Sequence, residues 1–247
     1  MLRKYSQNRS LGDNIKLGVL TAFVAGMVNV TSFIIFFAFT SNVTGYYAIL
    51  ASEIIKGNVY QILVVFASIF LFFFGGFVSS LIVITLNSKN TYIAHSLPIF
   101  LEIICLAFVG IYGSYFYEET LQETEVLVAI MLFAMGLQNG LTASISNFSV
   151  KTTHLTGATT DMGIFFAMFT KKRFRKNKTM TDKAKLIFSI FAAYFTGALV
   201  ASYFFNIIKF KIFFIVCSVL LFVLIYDFSK VRYFKYLLKK QRETNDC

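Results

Sequence analysis

Leu17-Gly-Val-Leu-Thr-Ala-Phe-Val-Ala-Gly26-Met-Val-Asn29-Val-Thr-Ser-Phe-Ile-Ile-Phe-Phe-Ala-Phe39 is an uncharged run of 23 residues. About 20 apolar residues in helix span the hydrocarbon core of a bilayer. Backbone groups in lipid must be satisfied within the segment, so the run reads as a helix rather than a strand. It follows a basic N-terminal segment, Met1–Lys16. It is longer than the core of a secretion signal, so it reads as a first transmembrane span. Five further runs read the same way: Ile62–Leu86, Leu97–Tyr115, Val126–Phe148, Ala184–Ile208 and Ile212–Phe228.

Composition agrees. Of 247 residues, 57% are hydrophobic and 14% charged, and the mean hydropathy is +0.71. Soluble domains carry roughly 25% charged residues, and one of this size needs a polar shell that this chain lacks. The expected class is an all-α integral membrane protein. It is a helical bundle of six long spans plus two short polar re-entrant or broken helices. The short segments are Ser41–Ile55 and Thr152–Thr170; if they cross as well, there are eight spans.

The net charge of +11 fits topology rather than nucleic acid, because the basic residues flank the apolar runs. With six spans, all but three of the 23 basic residues (Lys56, Lys209 and Lys211) fall on one side. Eight spans leave four on the other side, so the count does not separate the two arrangements. Both place the two termini in the cytoplasm. The expected location is the cell membrane, multi-pass, with a basic cytoplasmic tail over 230–247.

Three pairs of matched motifs divide the chain. Gly26-Met-Val-Asn29 is echoed by Gly136-Leu-Gln-Asn139, and Thr44-Gly45 by Thr156-Gly157. Gly75-Gly76-x-x-Ser79-Ser80 is echoed by Gly197-Ala198-x-x-Ala201-Ser202. The order is conserved between the halves and the offsets grow slowly. The reading is two membrane repeats, 12–115 and 125–229. Three spans per half give inverted repeats, as in many secondary transporters; four per half give parallel ones. The glycine and small-residue patterns read as close-packing faces.

Gly26-x-x-Asn29, Thr44-Gly45, Gly136-Leu-Gln-Asn139 and Thr153-His-Leu-Thr-Gly157 resemble the YoaK-like family of bacterial membrane proteins, a domain of unknown function. The resemblance covers about residues 12–229. It implies a multi-span membrane protein and no established activity. The sequence departs from the family pattern at Asn29, where an aspartate is usual, and at Tyr46, where an asparagine follows Thr-Gly.

Candidate solute-binding residues are Asn29, Thr44, Gly45, Gln138, Asn139, Thr153, His154, Thr156 and Gly157. Amides and hydroxyls both donate and accept, so the set suits a neutral polar or weakly anionic ligand. Ordinary interhelical bonding and helix capping are the competing explanations. Glu102 reads as a near-interface acid sharing the surface of Lys89 and His95, with an ion-coupling role as the alternative. No Walker loop, metal-ligand cluster or nucleophile–histidine–acid set is present, so neither enzyme activity nor a cofactor is expected. Expected partners are the lipid bilayer, a small polar solute and a second copy of the chain, with no nucleic acid. The leading expectation is a small secondary transporter or permease. The alternative is a non-transport scaffold, assembly or lipid-interacting protein.

Overall fold

A computed structural model describes the backbone of Leu2 and residues 9–245, and side chains for Leu2 and 9–229. The side chains of the basic tail, 230–247, lie outside the described residues. Among the described residues every regular element is helical. The order is α1 (Leu11–Phe36), α2 (Thr44–Lys56), α3 (Val59–Leu86), α4 (Thr91–Tyr115), α5 (Leu121–Ile145), α6 (Leu155–Phe169), α7 (Lys172–Arg175), α8 (Lys178–Ile208) and α9 (Ile212–Asn245).

Five helical segments are long and apolar enough to cross a membrane: α1, α3, α4, α5 and a 52-residue stretch, Lys178–Ser229. The last is not one rod. A 3-10 turn at Lys209–Lys211 separates α8 from α9, and Lys209 sits at φ 44°.

The long helices begin earlier than hydropathy alone suggests, because polar caps extend them. Ser10 and Asp13 close a capping box at the start of α1. Asn58, Asn90, Thr120 and Asn177 each accept a backbone N–H at the first turn of α3, α4, α5 and α8. Such caps satisfy donors that otherwise have no intrahelical partner. Positive-φ residues also mark the ends of α1 and α5. Phe37 at φ 52° stops α1, and Asn147 and Phe148, at φ 52° and 58°, follow α5.

α1 and α5 are the central helices. More than half of their apolar windows is buried, 56% and 61%, against 22% for α3. α1 packs along α8, α5 packs along α3, and α4 bridges α5 and α9. Small residues set the spacing. A Cβ built on Gly26 would lie 2.1 Å from the Tyr194 carbonyl oxygen, and one on Gly197 would lie 2.1 Å from that of Phe23. In the other pair, a Cβ on Gly136 would lie 2.2 Å from the Phe72 oxygen, and one on Gly75 would lie 2.2 Å from the Phe133 oxygen. In every case the obstacle is the carbonyl three residues before the facing glycine, so both pairs use one geometry.

The two glycines of the Gly75-Gly76 pair differ, although the sequence reads both as packing positions. Gly76 is not the tight position of its pair. A Cβ there would meet only the Gly136 oxygen, at an ordinary 3.7 Å, whereas Gly75 faces backbone at 2.2 Å.

The bundle has two distinct ends. At one, buried Leu2 sits between His95 of α4 and Asp227 of α9. Its carbonyl meets His95 Nδ1, and its N–H donates to Asp227 Oδ2 at 2.6 Å. At the other, Tyr60 at the start of α3 donates to Glu125 of α5, and Tyr112 near the end of α4 donates to Glu123.

Candidate functional site

The chain breaks twice after a central helix, and an asparagine organises each break. Asn29, 7% exposed, lies in α1 about two turns before the first break. Its Oδ1 accepts the backbone N–H groups of Thr40 and Ser41 at 3.0 and 3.1 Å. Its Nδ2 donates to the Tyr194 hydroxyl of α8 at 2.8 Å. Asn139 occupies the corresponding place in α5. Its Nδ2 donates to the Met135 carbonyl at 2.9 Å, and its Oδ1 accepts from the Thr152 and Thr153 hydroxyls at 3.3 and 3.0 Å. Each amide thus ties a loop back onto its central helix.

Beyond the breaks start α2 and α6. These two have no side-chain cap, with Val43 and His154 at the cap positions. All five described spans that begin with a defined cap residue have one. Capping by serine, threonine or asparagine, the competing explanation for these segments, is therefore absent at both cap positions. Neither cap side chain serves the first N–H groups of its helix, and the positive end of the helix dipole lies there.

Both starts face one cavity of about 1140 Å³. Asn29, Thr44 and Tyr194 line it with Asn139, Thr153, His154, Thr156 and Gly157. It lies between the α1–α8 pair and the α3–α5 pair, so both halves of the chain contribute to its walls. Phe39, Phe72, Phe73 and Phe77 form an aromatic wall, and Ser80 and Ser144 share a hydrogen bond of 2.9 Å across another side. A second cavity of about 570 Å³ shares Phe148, His154 and Gly157 with the first. Lys151, Asp161, Asp182 and Lys183 line it, at the end where the basic segment lies. His154 stands between the two. Burial, and then the Lys151 ammonium, push its imidazole down from the usual range.

Two candidate residues are elsewhere. Gly45 is outside the cavity lining, with open space around it. Gln138 is buried on another side of α5, where it donates to Glu102 of α4 at 2.9 Å. Glu102 does not share an exposed surface with Lys89 and His95 as expected, since only 1% of it is exposed. Sequence reasoning missed Tyr194, which lies 165 positions from its partner Asn29. A tyrosine inside an apolar span is its only signal.

Residues 17–226 match the family described as protein of unknown function (DUF1275). No curated protein and no solved structure matches the chain.

Proposed function

The chain belongs to the DUF1275 family, the membrane family that the YoaK-like motifs point to, and on that premise we propose that it is a small secondary transporter of a small polar solute. One observation carries the reading: the central cavity takes its polar groups from both halves of the chain, at the interface between them. Repeat-built transporters bind at that place, beside interrupted helices whose N-termini point at the substrate. Unwound backbone at membrane depth is tolerated where it lines a cavity. The uncapped starts of α2 and α6, with Thr44 and Thr156, supply donors, and Asn29 and Asn139 hold the interruptions in place. Together they suit a neutral polar or weakly anionic solute.

Six crossings in two inverted repeats fit this reading. α2 and α6 have 13 and 15 residues. They are therefore about 20 and 22 Å long, short of the ~30 Å hydrocarbon core. Three long helices then remain in each half, an odd number, so the second half enters from the opposite face. The matched glycine contacts of α1–α8 and α5–α3 support the same symmetry. The basic loop and both termini face the cytoplasm in this arrangement. In a background without native cysteines, Lys176→Cys is expected to resist an impermeant thiol reagent in intact cells, and Glu118→Cys to react. The opposite pattern overturns the orientation.

The transport reading is tested with purified protein in liposomes, screening uptake of small neutral and monoanionic solutes. A solute taken up above protein-free liposomes is expected to lose that uptake in Asn139→Leu. The loss should be at least about tenfold, the equivalent of ~1.4 kcal/mol. Folded yield should be retained, because the lost partners are two rotatable side-chain hydroxyls, of which Thr153 lines the cavity. Uptake that survives the substitution places the solute elsewhere.

The aromatic wall favours a second reading, a lipid-interacting protein whose cavity takes an amphipathic molecule. Lipid that co-purifies with the wild-type protein and is lost in Phe73→Ala, with no solute uptake by either, selects that reading.

A further inference from the structure

We infer that Glu102 and Gln138 form a proton-binding site inside the bundle, in which Glu102 carries a proton as a neutral acid paired with the Gln138 amide. The two side chains meet between α4 and α5, each about 1% exposed. Gln138 Nε2 donates to Glu102 Oε1 at 2.9 Å. The remaining oxygens, Glu102 Oε2 and Gln138 Oε1, are both buried without a partner. Among the described residues Glu102 has no cationic partner.

An ionised carboxylate here would be an unpaired charge in a low-dielectric interior, a state proteins avoid by neutralising the group. Two orphaned acceptors on one hydrogen-bonded pair of side chains call for a donor. A proton on Oε2 supplies it: Oε2–H donates to Gln138 Oε1 while Gln138 Nε2 donates to Glu102 Oε1. The added proton closes an acid–amide ring and satisfies both atoms at once. The balance is simple, since a carboxylate and a proton from water give the acid and no other bond changes.

The surroundings offer no competing ion. Cys105 lies one turn along α4, and on α9 the Cys217 thiol donates to the Ile103 carbonyl at 3.6 Å. α5 faces the acid with the neutral amide. The buried residues of α3 are Val65, Ser68, Gly75, Ser79 and Val83, none of them charged.

Gln138 and Asn139 are consecutive on α5, so one faces the acid while the other faces the central cavity. A movement of α5 that reshapes the cavity therefore moves the partner of the acid and opens a route for the proton to leave. This link to solute movement rests on the transport reading. The proton site itself does not.

Infrared spectroscopy of the purified full-length protein at neutral pH tests the site without any solute. With ¹³C-glutamate label, the carbonyl stretch of a protonated carboxylic acid is expected to be present and to shift with the label. Glu102 is the buried glutamate among the described residues, so the band is assigned to it. The band should vanish in Glu102→Gln, which retains the fold because a glutamine amide donates where the acid did. In Gln138→Leu the band should move toward the position of a free carbonyl. If the label shifts only carboxylate bands, Glu102 is ionised and the inference fails. Should Glu102→Gln not fold, the labelled wild-type spectrum decides alone. A protein with the acid band but no solute uptake keeps this site and loses the transport reading.

Discussion

Gly136→Ala is expected to abolish monodisperse folded protein in mild detergent, although it adds one methyl group. The new Cβ would sit 2.2 Å from the Phe72 oxygen and 3.1 Å from the Gly75 Cα. Neither obstacle is a side-chain end that rotates away; both are backbone of the facing helix. The α5–α3 pair must move apart along its length, which forfeits packing over many residues. Overpacking a core typically costs about 1–3 kcal/mol, and a backbone-on-backbone clash belongs at or above the top of that range. Association of helices in lipid depends on such close packing, because lipid tails are as apolar as the helices. Gly26→Ala should behave alike, since its Cβ would lie 2.1 Å from the Tyr194 oxygen. Gly163→Ala is the control: it has open space within 4 Å and should match the parent in yield and thermal midpoint. Size-exclusion profiles and thermal melts of the three variants check the set. Normal behaviour of Gly136→Ala would mean that the helix pair is not close-packed.

The helical class and the long spans were legible because lipid imposes a simple rule, a length of uncharged apolar residues. The convergence of Asn29 and Thr44 with Asn139, Thr153 and Thr156 on one cavity was legible because the motifs recur in the same order. Register was not. Successive helical residues point about 100° apart, so Gly75 meets backbone while Gly76 faces the cavity, and Asn139 lines it while Gln138 faces Glu102. Nothing in hydropathy separates such neighbours. The burial of Glu102 was also hidden, because its position in a span does not tell which helix covers it. The turn at Lys209–Lys211 lies between two apolar runs, and the two lysines made that break readable.

Asn29→Leu is expected to destabilise the fold far more than Asn139→Leu, despite the matched positions of the two amides. Asn139 Oδ1 serves two side-chain hydroxyls; that of Thr153 lines the cavity and can turn toward it, and the buried Thr152 hydroxyl can still rotate about its own side chain. Asn29 Oδ1 serves two backbone N–H groups, those of Thr40 and Ser41, in residues that are 0% and 6% exposed. Backbone donors cannot rotate to a new partner. Leaving a buried donor unmet costs about 1–3 kcal/mol, so the two together cost roughly 2–6 kcal/mol. The Tyr194 hydroxyl also loses its Asn29 donor. The break after α1 then has nothing to hold it, and α2 loses its placement at the cavity. Tyr194→Phe separates the terms, because it removes the hydroxyl that Asn29 Nδ2 donates to and leaves both backbone donors paired. Its cost should stay near 1 kcal/mol, the net value of a single typical hydrogen bond. Asn29→Asp keeps the accepting oxygens and should retain more stability than leucine. Thermal denaturation in one detergent ranks the series, with the expected order parent, Tyr194→Phe, Asn29→Asp, Asn29→Leu. If Asn29→Leu melts with Tyr194→Phe, the amide does not hold the loop.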